Sequence, residues 1–185
     1  MADEFHEELR AALKQVAALL READVPYALA GSYALWVRGA PETDHDVDFV
    51  LPEEYVKRAA DELSAAGLAV TQPPEGWLVK VASGDVVVDL LHHAAGEPID
   101  DALLARAKPL EVLSVEMPVL DPTDVLSAKL RSLSEHSCDF GALLPAVRAV
   151  REQVDWSRLR HETAGNDFAV AFLVLTDRLG ISPTV

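Results

Sequence analysis

Asp44, Asp46 and Asp48 stand on alternate positions at the mouth of an apolar run, Val47 with Phe49, Val50 and Leu51. In an extended chain residues i and i+2 share a face, so Asp46 and Asp48 project together while Val47 and Phe49 face the other way. Carboxylates held side by side repel one another unless a cation joins them. Mg²⁺ suits such a pair, because it takes one or two carboxylates together with phosphate oxygens. Asp44-His45-Asp46 has the same spacing, but an apolar middle residue fits a buried strand better, which favours Asp46 and Asp48. A further carboxylate, Asp89, lies inside Val86-Val87-Val88-Asp89-Leu90-Leu91. An ionised group in so apolar a strand is costly unless it is paired or metal-bound, and on an adjacent strand it would complete a two-metal site. The plainer readings are a solvated loop at 44–48 and a half-exposed edge strand at 89, since Asp85 shows that the second run is wet on one side.

The elements that must position these residues are legible. Phe5, Leu9, Leu13, Val16, Leu19 and Leu20 recur at helical spacing, which predicts an amphipathic helix over 3–23, broken by Asp24-Val25-Pro26. Tyr27–Ala30 reads as a short buried strand ending at Gly31-Ser32, with Ser32 capping a short helix over 33–38 that stops at Gly39 and Pro41. Val47–Leu51 is the next strand, and Pro52 opens a helix to about Ala66. A strand over 68–71 follows. Trp77–Val81 and Val86–Leu91, around Ser83-Gly84-Asp85, read as a hairpin. A helix over 99–107 and a last edge strand over 113–120, carrying Pro118, complete this half. From Asp121-Pro122 the pattern is helical throughout, with further segments at 139–152, 155–163 and 167–179. The expected architecture is α+β: a small mixed β-sheet core with flanking helices over 1–120, and a C-terminal helical unit over 121–185.

Gly31-Ser32 followed by Asp46-Val47-Asp48, with a later strand aspartate at 89, resembles the signature of the DNA-polymerase-β-like nucleotidyltransferases. Within that superfamily the chain looks most like the minimal, abortive-infection-type enzymes, several of which are toxins of toxin–antitoxin pairs. The resemblance covers 1–120 well and the helical part loosely. It implies transfer of a nucleotide from an NTP, with Mg²⁺ or Mn²⁺, onto an acceptor hydroxyl of RNA (such as tRNA) or of a small molecule, and it makes an antitoxin protein a possible partner. It gives Asp46 and Asp48 the metals, and Asp89 a metal plus general-base duty. Gly31 permits close backbone approach, and Ser32 opens a helix whose N–H groups receive phosphates. Many relatives carry Arg-x-Thr before the aspartates. Here Thr43 is present, but Pro41 and Glu42 stand where the Arg is expected. Lys129, in Ala128-Lys129-Leu130-Arg131 with Asp139 after a short gap, resembles the lysine and aspartate of the family's second domain and would supply that charge. Arg38 is a second phosphate candidate. The alternative reading is a catalytically silent module of the same fold that binds a partner protein.

Composition narrows the partners. Residues 1–120 carry 9 Lys and Arg against 22 Asp and Glu, and residues 121–185 carry 7 against 9. A net charge of −15 opposes non-specific binding to a phosphate backbone, so DNA is not an expected partner, and any RNA would approach the C-terminal part. The single cysteine, Cys138, excludes an internal disulfide, and no apolar run is long enough for a membrane helix. The acidic N-terminus lacks the order of a signal peptide, and a cytoplasmic protein is expected. His92 and His93 follow Asp89 closely enough to suggest a metal site, but adjacent residues in a strand point to opposite faces, so one of them reads as structural or exposed; His45 reads as a surface residue. Trp36, Trp77 and Trp156 fall in three separate elements and read as packing residues.

Overall fold

The first helix, α1 (Ala2–Glu22), exists because its apolar stripe has a sheet to cover: Leu9, Leu13, Val16 and Leu20 are all buried. Burying each such side chain contributes about 1.5–3 kcal/mol relative to leaving it in water. The computed structural model describes residues 2–43 and 46–183. The Asp44 and His45 readings therefore lie outside the described residues.

The sheet is mixed. In chain order its strands are β1 (Ala28–Leu29), β2 (Val47–Val50), β3 (Ala69–Thr71), β4 (Leu78–Ser83), β5 (Val86–Leu91), then β8 (Lys108–Val112) and β9 (Val115–Val119); β6 (His93–Ala94) and β7 (Glu97–Pro98) form a separate small hairpin. Across the sheet the order is β3-β4-β5-β2-β1-β9-β8, with β2 parallel to β5 and β1 parallel to β9. β2 and β5 lie at the centre and are covered on both sides, which is why they read as nearly continuous apolar runs. One face carries α1 and α3 (Val56–Ala65): Ser83 reaches Gln15 of α1 at 3.2 Å from that side. The opposite face, where Asp48 and Lys80 point, carries the short helix α2 (Gly31–Trp36).

Two expectations at the edge of the sheet change. The segment 113–120 is not an edge strand; it supplies β9, an interior strand between β1 and β8. The edge is β8, and Leu113 and Ser114 both take positive φ (52° and 66°) in the turn that joins the two strands. Such primed turns usually announce themselves with Asn-Gly or Asp-Gly, and Leu-Ser carries no such signal. The helix expected over 99–107 is the shorter α4 (Asp101–Arg106), capped by Asp100. Near the sheet centre, α2 is not capped by Ser32. It begins two residues earlier, at Gly31, with Ala30 at the N-cap position and no side-chain cap.

The C-terminal helices are α5 (Pro122–Arg131), α6 (Phe140–Val150), α7 (Trp156–Thr163) and α8 (Asp167–Arg178). Each starts at a capping side chain, Asp121, Asp139, Asp155 and Asn166 in turn, that accepts from backbone N–H groups of the first turn. Caps of this kind contribute about 1 kcal/mol each. α5 packs against α2 on one side and α7 on the other. Asp124, buried on α5, receives Arg106 of α4 and Arg158 of α7 at 2.9 Å each, so one carboxylate ties three helices. The buried apolar side chains from Leu9 to Ile181 form one cluster.

Candidate active site

Register sets the centre of the site. The parallel pairing of β2 with β5 places Asp48 directly beside Asp89, and the antiparallel pairing of β4 with β5 places Lys80 on the other side of Asp89. Lys80 Nζ donates to both carboxylate oxygens of Asp89, at 3.0 and 3.1 Å. Asp46, exposed, precedes β2 close enough for its charge to act on Asp48, Lys80 and Asp89.

The electrostatics follow from that crowding. Burial pushes the Asp48 carboxyl up to about 6; Lys129 pulls it back, while Asp89 and Asp46 push it further. Among the described residues it is reached by charges but by no hydrogen bond. Burial also raises Asp89, against the hydrogen bond and charge of Lys80. Lys80 resists desolvation through that same hydrogen bond and the surrounding carboxylates, and its ammonium is held above its ordinary value. Three carboxylates and one fixed lysine leave the centre short of positive charge.

The backbone at Gly31 is built around Asp48. Gly31 has φ +57°, and a Cβ placed there would lie 1.8 Å from Asp48 Oδ2. No residue with a side chain fits against this carboxylate in this conformation. Next in the chain, Ser32 Oγ accepts a hydrogen bond from Lys129 Nζ at 3.1 Å, so α5 reaches across 97 residues of sequence to the same point. Lys129 is half-buried, and its charge acts on Asp48.

The other sequence candidates sit elsewhere. The Arg38 guanidinium donates to the carbonyls of Val119 (3.3 Å) and Leu120 (3.0 Å), which fastens the end of β9 rather than facing Asp48. Glu42, at the position where an arginine was expected, is paired with Arg10 of α1, and Arg10 in turn stacks on Trp36. Asp139 caps α6. Trp36 and Trp156 pack, as expected, but Trp77 is 43% exposed beside the cleft. His92 and His93 do not point apart. β5 ends at Leu91, and past it the two Nδ1 atoms lie 3.1 Å from each other. With Glu53 they form a group of three whose ligand atoms lie within 4.8 Å of one another, able to hold a metal ion. Lys80 was missed. Its signal was present in the hairpin: a Gly84-Asp85 turn pairs Ser83 with Val86, and counting back puts Lys80 opposite Asp89.

A cleft of about 1080 Å³ opens over this centre. Gly31, Asp48, Val50, Leu91 and His93 lie along its floor, α5 from Ser127 to Ser132 supplies one wall, and Trp77 with the loop around the β6–β7 hairpin supplies the other. It is lined by the carboxylates Glu75, Glu97, Asp100 and Glu162, against Arg106, Lys129 and Arg131, with Asp124 buried among them and already paired with Arg106 and Arg158.

Comparison with known proteins places this geometry. The sequence profile of the aminoglycoside-2''-adenylyltransferase family matches residues 12–102, just under half of the chain. A search of the curated proteins finds no match. The solution structure of the antibiotic-resistance factor ANT(2'')-Ia superposes with a TM-score of 0.62 at 12% identity, over 92% of this chain and 96% of that one. The crystal structure of ANT(2'')-Ia in complex with adenylyl-2''-tobramycin gives 0.63 at 14% identity, over 88% and 98%. A nucleotidyltransferase from Thermotoga maritima gives 0.53 at 19%, over 65% and 82%. The chain has the fold of the DNA-polymerase-β-like nucleotidyltransferase superfamily. Among the described residues no helix is long and apolar enough to cross a membrane.

Proposed function

We propose that the chain is a metal-dependent nucleotidyltransferase whose acceptor is a cationic small molecule bearing a hydroxyl, of the aminoglycoside class. The observation that carries the reading is the register-fixed pairing of Asp48 with Asp89 beneath a glycine that only a bare backbone can occupy.

The residues fit a divalent metal. The donor set is oxygen only, from Asp46, Asp48 and Asp89, as Mg²⁺ and Mn²⁺ prefer. Burial, with the neighbouring Asp89 and Asp46 carboxylates adding to it, lifts the Asp48 carboxyl to about 6, and a bound cation offsets that penalty. When bound, such ions neutralise phosphate oxygens and stabilise the attacking and leaving oxygens of an in-line displacement. The chain itself does the rest. Lys129, steered by Ser32, reaches the entrance to the carboxylate centre and supplies a charge-assisted contact to the triphosphate. Gly31 lets the phosphate-facing backbone lie against Asp48. The acceptor oxygen attacks the α-phosphorus, the bond between the α-phosphorus and the bridging oxygen breaks, and pyrophosphate leaves. Asp89 takes the acceptor's proton. The Lys80 ion pair favours the ionised form of Asp89, the form a base needs.

The choice of acceptor rests on charge. The carboxylate-rich rim attracts a polycation and repels a phosphate backbone, so a small cationic acceptor suits this cleft better than tRNA does. The same reasoning weighs against an RNA-modifying toxin. The family profile, and the adenylyl-2''-tobramycin held by a structure of the same fold, agree with this choice. The retained carboxylate centre weighs against a silent binding module. The test is incubation with each NTP and Mg²⁺, with aminoglycosides in one arm and total tRNA in the other, read by mass spectrometry. A gain of one nucleotide monophosphate on an aminoglycoside supports the reading. Labelling confined to tRNA would overturn the acceptor class while leaving the transfer chemistry intact.

A further inference from the structure

Beyond the carboxylate centre, at the exits of β2 and β5, lies a second group with different ligand chemistry. Glu53 follows Pro52, where β2 has ended, and His92 and His93 follow Leu91, where β5 has ended. The parallel strands run side by side to this point, so their exits are adjacent: Leu51 N–H still donates to the Leu91 carbonyl at 3.0 Å. The chain then turns sharply enough that consecutive histidines present the same ring nitrogen to one spot, with Nδ1 atoms 3.1 Å apart. Metal–nitrogen bonds of about 2.0–2.1 Å would subtend roughly 100° over that separation, close to a tetrahedral angle. A hydrogen bond between the rings accounts for two of the three groups. It does not account for Glu53, whose carboxylate lies within 4.8 Å of both ligand atoms.

We propose that Glu53, His92 and His93 form a binding site for a borderline transition-metal ion of the Zn²⁺ class, separate from the oxygen-only centre at Asp48 and Asp89. Two imidazoles and one carboxylate are a donor set that Zn²⁺ favours and Mg²⁺ does not. His92 is held by the fold: it is 6% exposed, its N–H donates to the Trp77 carbonyl and its carbonyl accepts from Ile99. Glu53 is exposed and His93 lies on the floor of the cleft, so three protein ligands leave room for a water or a ligand from the cleft side. A bound ion would tie the exits of the two central strands together and stiffen the far end of the floor. The site does not depend on the transfer reaction.

The experiment is a Co²⁺ titration followed by visible absorption, with Zn²⁺ competition, on the wild-type chain in excess Mg²⁺. Saturation at one equivalent of Co²⁺, reversed by Zn²⁺, is expected. Glu53→Gln and His93→Ala, both outside the buried core, should each weaken Co²⁺ binding at least about tenfold while circular dichroism stays unchanged. Asp48→Asn should bind Co²⁺ as the wild type does. Wild-type-like titration of Glu53→Gln and His93→Ala, loss of the signal in Asp48→Asn, or no specific Co²⁺ band in the wild type would each overturn the proposal.

Discussion

Gly31 is fitted to Asp48: the missing side chain at one position makes room for the carboxylate at the other, since a Cβ at Gly31 would come within 1.8 Å of Asp48 Oδ2. Gly31→Ala should therefore destabilise the protein twice over, through the left-handed backbone (about 1–2 kcal/mol) and through the collision. In a double-mutant cycle with Asp48→Ala, which removes the oxygen at 1.8 Å and the carboxyl carbon at 2.7 Å but keeps the Cβ at 2.9 Å, chemical denaturation should show that the second change recovers most of the collision part. Strict additivity would mean that the two residues are independent.

Asp48 itself should weaken the metal-free fold at neutral pH. Burial pushes its carboxyl from an ordinary 3.8 up to about 6, so the fold holds that proton more tightly than the unfolded chain does. The stability it contributes is full below about pH 4 and is lost as pH rises through about 6. At pH 7.5 without divalent metal, Asp48→Asn should raise stability, by on the order of 1–3 kcal/mol. The gain should vanish toward pH 4. Thermal melts of both proteins across pH 4–8 check this, and a destabilised Asp48→Asn at pH 7.5 would contradict it.

Lys80 should set the acidic limb of the rate profile. Its ion pair lowers the Asp89 carboxyl against the upward push of burial. Lys80→Met removes the downward influence, so the pH at which Asp89 ionises must rise. The acidic limb of kcat/KM should move to higher pH, while the alkaline rate falls much less. An unmoved limb would show that Asp89 is not the base.

Lys129→Ala should weaken NTP binding by roughly 1.5–3 kcal/mol, the cost of a lost charge-assisted contact. Folding should change less than binding, because what is lost there is one hydrogen bond to Ser32 and the attraction between the ammonium and Asp48. Calorimetric titration with NTP and Mg²⁺ reads the difference. Equal dissociation constants would make Lys129 a helix-surface residue only.

How much of this was legible depended on whether the signal was local. α1, β2 and β5 follow from periodicity, with ends close to where the sequence puts them, and α5 starts where Asp121-Pro122 predicts. The Gly31-Ser32 and Asp46-Asp48 segments were visible as types and spacing, and the register then set Asp48 beside Asp89. Lys80 needed register arithmetic across a hairpin, a pairing that residue type alone does not suggest. The β8–β9 turn at Leu113-Ser114 had no turn residues to betray it. The opposite-face argument for His92 and His93 assumed a strand that continued, and it fails because β5 stops at Leu91. Arg38 looked available as a cation in sequence; only the tertiary fold shows its guanidinium fastened to the carbonyls of Val119 and Leu120.

If Asp46, Asp48 and Asp89 perform nucleotidyl transfer, pyrophosphate release is the signal that follows from it. Wild type, Asp46→Asn and Asp48→Asn, each shown folded by circular dichroism, would be mixed with NTP, aminoglycoside and Mg²⁺. Acceptor-dependent pyrophosphate is expected from the wild type, abolished by chelation and in both variants. Release from Asp48→Asn at the wild-type rate under saturating Mg²⁺ would contradict it.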